Sequence, residues 1–196
     1  MIQQLRAVTL VICIACAAGC ATHYVGASSS TNPPPVEKLS HFDRFEVEPI
    51  TMGEPYAGQD ANEAALKKIQ ENLDLRLDPV IANWNTSKPE NTPARVLRIV
   101  PKVRDIRFIS GASRVFGGVL AGRSAVVLDV EFIDVETGAT IASPEFYAHA
   151  NGWAGAYSFG VADNIMLIRP GTLITEYVEA NYDALVGGRT GAEEES

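Results

Sequence analysis

Apolar and polar residues alternate in four separate stretches of the chain, and this alternation predicts four strands. The clearest stretch is 124–135, where every second residue from Val126 to Phe132 is apolar and the residues between them include Asp129 and Glu131. Such a pattern is typical of a strand with one buried side and one solvent-facing side. The other three stretches are 42–50, 95–108 and 140–150.

The stretch 95–108 changes phase partway along. Its apolar positions keep one phase as far as Val103, but Ile106 and Phe108 fall in the other. A one-residue slip moves every later side chain to the opposite side of a sheet, so the strand either contains a β-bulge near Arg104 or crosses between layers. Pro101 cannot donate a ladder hydrogen bond, which favours an edge position or a break.

A short loop joins the last two strands. Glu136, Thr137 and Gly138 match a three-residue hairpin with glycine in the left-handed position. We therefore expect the strands on either side of it to be antiparallel.

Two other regions have the apolar spacing of amphipathic helices. The first spans about 60–84, starts at an aspartate that can cap it, and contains Pro79, where it can kink or end. The second region, 161–185, is predicted to form a short helix over 161–168 and a last helix over 172–185, with an interruption around Pro170.

The predicted order of elements is β-α-β-β-β-α. It indicates a single α+β domain over 42–187, with a mainly antiparallel sheet of about four strands and helices packed on one face. The acidic end, 188–196, is predicted to be a disordered tail.

Composition narrows the function. The net charge is −8 and basic residues are not clustered, which disfavours nucleic acid as a partner. All three cysteines, Cys13, Cys16 and Cys20, lie in the first twenty residues. The folded domain therefore lacks disulfides, cysteine catalysis and cysteine metal sites.

The N-terminus reads as a signal peptide over 1–19, because a short charged start precedes about a dozen apolar residues and then small residues. Its end, Ala18-Gly19-Cys20, resembles a bacterial lipoprotein signal; Cys16 fits this pattern less well. The resemblance implies cleavage before Cys20 and its lipidation, and the lack of an aspartate after Cys20 implies the outer membrane. The alternative is a plain secreted protein with an incidental cysteine.

The segment 20–41 is predicted to be a tether, since it contains a run of serines and then three prolines at 33–35. It would hold the domain away from the membrane on the periplasmic side.

Candidate catalytic patterns are weak. The residues Gly117–Ser124 nearly match a phosphate-binding P-loop, but Arg123 replaces the lysine and a strand follows where a helix is needed. His41 and His149 could take part in a metal site only if the fold brought them together, and a surface role is the simpler interpretation. No serine has a histidine at a triad-like spacing, and no cofactor is predicted.

Asp129 and Glu131 share one strand face and could serve acid-base chemistry in a hydrolase. A solvated sheet face explains them more simply.

The loop 151–160 is the strongest binding candidate in the sequence. Trp153, Tyr157 and Phe159 alternate there with glycines. Such a loop could contact a protein partner, a small molecule or a lipid. The alternative is that these rings close one end of the core.

Several motifs together carry a family resemblance. They are Cys20 with its tether, the segment 95–100, the connection 114–118, and the turn from Asp134 to Gly138. Over about 42–182 the chain resembles an uncharacterised family of small bacterial envelope lipoproteins. The resemblance implies an envelope protein without an assigned activity, and we expect a non-enzymatic module that binds or assembles with another envelope component. The oligomeric state stays open.

Overall fold

The structure is a computed structural model that describes residues 26–87, 94–107, 124–150 and 161–192. In these ranges the chain forms eight strands, two α-helices and one 3₁₀ turn at Leu39–His41. The helices are α1, Asp60–Ser87, and α2, Val161–Ala180. The strands are β1 Thr31–Asn32, β2 Arg44–Val47, β3 Thr51–Met52, β4 Val96–Arg107, β5 Ala125–Asp134, β6 Thr140–Ala142, β7 Glu145–His149 and β8 Gly188–Arg189.

Six of these strands form one mixed sheet. β2 and β3 pair in parallel with successive parts of β4, β4 is antiparallel to β5, and β5 is antiparallel to both β6 and β7. Both helices pack on one face of the sheet and share its hydrophobic core. The predicted α+β class is confirmed. The sheet has six strands and is larger than predicted. Because the chain crosses over through α1 between β2 and β4, these two strands run parallel at one edge of the sheet.

The slip predicted in β4 is a β-bulge. Val103 pairs with Leu128 and Asp105 pairs with Val127, so Arg104 is the extra residue. Pro101 lies between the part of β4 that pairs with β2 and the part that pairs with β3.

The predicted hairpin also forms. Gly138 has φ 70° and its N–H donates to the carbonyl of Asp134. The carboxylate of Asp134 accepts the N–H of Glu136, which closes the turn from the other side.

α2 is one helix and not two, so the predicted interruption at Pro170 is wrong. The neighbouring residue, Gly171, lies so close to α1 that an added Cβ would sit 2.9 Å from the carbonyl oxygen of Asn72. α2 therefore stays helical through Pro170, because it packs closely on α1 at this point. α2 ends at Ala180, where the side chain of Asn181 accepts the N–H groups of Val186 and Gly187.

Both ends of the described chain differ from expectation. Much of the predicted tether packs on the domain: β1 pairs with β8, the N–H of Val36 donates to Ile141, and Leu39 is fully buried. Residues 188–192 of the predicted tail likewise pack on the domain, and Thr190 is buried. The serines and prolines of 20–41 predicted a tether without contacts to the domain. The backbone groups at the edge of β7 need hydrogen-bond partners, however, and Asn32 and Thr190 supply them.

Among the described helices, neither is both long and apolar enough to cross a membrane.

Candidate functional site

The face of the sheet away from the helices carries charged side chains. On β4, Arg98 contacts Glu46 at 3.1 Å and Glu48 at 3.5 Å. Asp129 and Glu131 lie on the same face of β5, as their alternation predicts. Both carboxylates therefore lie on the side of the sheet that the helices do not cover.

Arg104 joins two carboxylates on this face, where the alternation along β4 places its side chain. Its Nη1 lies 3.0 Å from Oδ1 of Asp129, and its Nη2 lies 2.8 Å from Oε2 of Glu145. Asp129 and Glu145 are direct partners across β5 and β7. The sequence did not reveal this cluster, since it depends on which residues of β4, β5 and β7 lie opposite one another.

The N-terminal segment walls one side of this cluster. Glu145 accepts hydrogen bonds from the N–H of Ser28 at 2.5 Å, the hydroxyl of Ser28 at 2.9 Å and the N–H of Ser29 at 3.0 Å. The side-chain amide of Asn32 donates to the carbonyl of Glu145 and accepts its N–H. We call residues 28–36 the latch segment.

An open groove of about 390 Å³ runs between the latch segment and the sheet. Its lining contains three carboxylates and one guanidinium, with small polar groups at the rim: Ser29, Thr31, Asn32, Pro33, Arg104, Asp129, Val130, Glu131, Ser143 and Glu145. We call it the carboxylate groove.

Two carboxyl groups in the groove have pKa values that depart from their ordinary values in opposite directions. Burial raises the pKa of Asp129, even though Arg104 opposes the change. Burial would also raise the pKa of Glu145, but hydrogen bonds from Arg104, Ser28 and Ser29 outweigh it and lower that pKa. The folded protein thus favours the neutral form of Asp129 and the charged form of Glu145, each relative to its ordinary behaviour.

The groove is better suited to binding than to acid-base catalysis. The side chain of Asp129 is 43% exposed and paired with Arg104, and Glu131 makes no ion pair with a described residue. Exposed, paired carboxylates are poor general bases but good acceptors for cationic groups and N–H donors. The hydrolase hypothesis stays a prediction.

The histidines do not come together. His41 contacts Glu37 near the Asp134 end of β5, whereas His149 pairs with Ala125 at the other end. In the described ranges no group of three His, Cys, Asp or Glu side chains could hold a metal ion.

A second charged cluster lies beside the hairpin. Arg95 contacts Glu37 at 2.6 Å and the buried Asp134 at 2.8 Å, and its guanidinium lies 4.2 Å from the ring centre of Phe42. Hydrogen bonds that Arg95 donates lower the pKa of Glu37 and of Asp134. This cluster fastens the chain before β2 to the sheet and is structural in character.

Four predicted features lie outside the described residues. They are Cys20, residues 117–123 of the Gly117–Ser124 near-match, the aromatic loop with Trp153, Tyr157 and Phe159, and the last residues of the acidic tail. The hypotheses attached to them, including ligand or lipid binding by the aromatic loop, stay predictions.

The sequence matches no model of a known protein family, and no curated protein matches it. Among solved structures, a variant of the PelC dodecamer from Paraburkholderia phytofirmans has a TM-score of 0.41 at 19% identity, covering 76% of this chain and 96% of that one. A proposed lipoprotein from Caulobacter crescentus has a TM-score of 0.36 at 14% identity, and the match covers 73% of this chain and 91% of that one. A hypothetical protein from Chlamydia trachomatis has a TM-score of 0.39 at 12% identity, and the match covers 70% of this chain and 96% of that one. The family resemblance seen in the sequence thus stays a prediction.

Proposed function

We propose that this chain is a lipid-anchored protein of the bacterial cell envelope, attached at the outer membrane through Cys20 and facing the periplasm. It acts without catalysis and binds another envelope component. The signal-like segment 1–19 and the position of Cys20 support the anchor.

The surplus of negative charge in the carboxylate groove supports the binding role. Asp129, Glu131 and Glu145 line the groove together with a single arginine. A protein segment with lysine or arginine side chains fits this chemistry, because exposed carboxylates form charge-assisted hydrogen bonds with such groups. Since Arg104 already pairs with two of the carboxylates, an incoming cation must compete with it, which favours reversible binding.

Site-specific photo-crosslinking tests this role. A photoreactive residue at Ser143, on the groove rim, is compared with one at Thr137, which is also exposed but lies in the hairpin. We expect a crosslinked envelope protein from position 143 only, and a weaker yield after Glu131→Lys reverses a groove charge. Equal products from the two positions, or no product from either, would contradict the proposal.

A further inference from the structure

Exposed aliphatic side chains cluster where the latch segment meets the turn that follows α2. The described residues include six large hydrophobic side chains that are exposed, and three of them lie here: Val36, Leu185 and Val186. Val36 is 75% exposed and Val186 is 65% exposed. Single exposed aliphatic residues are ordinary on a protein surface, but a group of them beside exposed prolines is typical of a contact surface.

The latch segment and this turn run side by side in opposite directions. At one end they are so close that an added Cβ at Gly187 would lie 3.1 Å from the backbone nitrogen of Pro34. At the other end the N–H of Leu39 donates to the carbonyl of Asn181 at 3.1 Å. The chain between these two contacts is therefore held in one region on both sides.

The three aliphatic side chains lie between those contacts and share one surface. Val36 is on the first segment, and Leu185 and Val186 are on the second. Pro33 and Pro34, which are also exposed, lie beside them on the latch segment. We call these five residues the aliphatic patch.

The aliphatic patch adjoins the carboxylate groove at two points. Pro33 belongs to both, since it also lines the groove. The N–H of Val36 donates to the carbonyl of Ile141 at 2.9 Å, and Ser143 on the groove rim follows Ile141 by two residues. An extended segment that lies in the groove therefore needs only about three further residues, or roughly 10 Å, to cross the patch.

Charge decides which occupant fits this combined surface. Asp129, Glu131 and Glu145 line the groove with a single arginine, so the surplus charge there is negative. Negative charge repels anionic lipid headgroups, and the net charge of −8 opposes the approach of a second copy of this chain. A protein segment with basic and aliphatic side chains matches both halves of the surface.

We propose that the groove and the aliphatic patch together bind one extended segment of a partner protein, in which basic residues are followed within a few positions by aliphatic ones. The basic residues enter the groove and the aliphatic residues cover the patch. This inference rests on the proposed function of the groove, and it adds the sequence character of the partner. Burial of the aliphatic side chains contributes affinity, whereas the ion pairs fix the position of the segment.

Two dye-labelled peptides test this pairing. One has two lysines followed by three leucines, and the other has serines in place of the leucines. Each is titrated against the full chain held in phosphatidylethanolamine–phosphatidylglycerol nanodiscs, and fluorescence anisotropy measures binding. We expect the leucine peptide to bind about tenfold more tightly than the serine peptide.

A matched pair of variants assigns the difference to the aliphatic patch. Val36→Ser combined with Val186→Ser removes the two most exposed valines of the patch. Leu75→Ser is the control, since Leu75 is 72% exposed but lies on α1. We expect the advantage of the leucine peptide to fall to about twofold or less in the patch variant and to persist in the control. Equal advantages in the two variants would overturn the inference.

The remaining outcomes separate this inference from the function on which it rests. Glu131→Lys should weaken both peptides, because it reverses a groove charge. If neither peptide bound the unaltered chain, the proposed function and this inference would fall together. If both peptides bound equally well, only the inference would fall. Binding of the leucine peptide to empty nanodiscs with the same affinity, or loss of a dimer of the chain in the patch variant, would assign the patch to lipid or to a second copy and would likewise overturn it.

Discussion

Two glycines share a left-handed backbone but differ in their surroundings. Gly58 has φ 76° with nothing within 4 Å of an added Cβ, whereas Gly187 has φ 71° and its added Cβ would lie 2.3 Å from the carbonyl oxygen of Asn32. Gly58→Ala should destabilise the protein by about 1 kcal/mol, which is the left-handed penalty alone. Gly187→Ala adds a backbone clash, and we expect a total loss of about 3 kcal/mol or more. Urea unfolding of both variants measures the difference, and similar losses would disprove the close approach of the latch segment to Gly187.

Two asparagines use their side chains in place of a neighbouring strand. Asn85 accepts the N–H of Phe45 at 2.9 Å and donates to its carbonyl at 3.0 Å, and Asn32 makes the same pair of bonds with Glu145. Phe45 is on the β2 edge of the sheet and Glu145 is on the β7 edge. Each amide thus satisfies edge groups that would otherwise be open to pairing with another chain.

Replacing Asn85 with alanine should therefore cost about 1–3 kcal/mol, because the N–H and carbonyl of Phe45 lose their partners near the core. Asn83→Ala is the control, since Asn83 is exposed on the same helix and alanine has the higher helix propensity. We expect the control to be neutral or slightly stabilising in thermal unfolding. An Asn85→Ala variant as stable as the control would rule out the edge role.

At the scale of elements, Glu145 makes attachment of the latch segment depend on pH. Its pKa is lower in the folded protein than the ordinary 4.5, so its contacts contribute stability above the unfolded pKa and lose it as pH falls through the folded value. Protonation of Asp129, whose pKa is raised, leaves Arg104 to Glu145 alone. We expect hydrogen exchange at residues 28–36 to rise below about pH 4.5 ahead of global unfolding.

Glu145→Gln provides the comparison for this pH effect. Glutamine keeps an acceptor for the N–H groups of Ser28 and Ser29 but loses the charge that holds Arg104. The variant should exchange faster at pH 6 and show less change on acidification. If hydrogen exchange at residues 28–36 depended on pH in the same way in both proteins, a group other than Glu145 would cause the pH effect.

Local features of the elements were predictable, and long-range ones were not. The slip at Arg104 and the hairpin glycine follow from rules that act within a few residues, and the structure confirms both. The parallel pairing of β2 depends on contacts across α1, and the continuity of α2 through Pro170 depends on its packing at Asn72. Neither has a signal in the local pattern.

For the molecule as a whole, the sequence identified the carboxylates of the groove but not the groove itself. Alternation placed Asp129 and Glu131 on one face, and the structure confirms that placement. Arg104 and Glu145 join them only through the pairing of β4 and of β7 with β5. The wall formed by the latch segment had no sequence signal, because short serine- and proline-rich segments have no apolar period.

The most consequential difference between expectation and structure concerns where the folded unit begins. The sequence places that point at Phe42, but Leu39 is fully buried, and the latch segment covers the edge of β7 and bonds to the hydroxyl of Tyr177. A chain of residues 26–192 should fold cooperatively. A chain of 42–192 loses the burial of Leu39, worth about 2 kcal/mol, together with the partners of several edge groups.

We expect this shorter chain to lose several kcal/mol, a large part of the roughly 5–15 kcal/mol that stabilises a typical domain. Circular dichroism and urea unfolding of the two chains measure the loss. Adding residues 26–41 back as a separate peptide is the control, since specific docking should restore part of the stability in proportion to peptide concentration. If the chain of 42–192 were as stable as that of 26–192, the latch segment would be a passive tether that adds nothing to the stability of the domain.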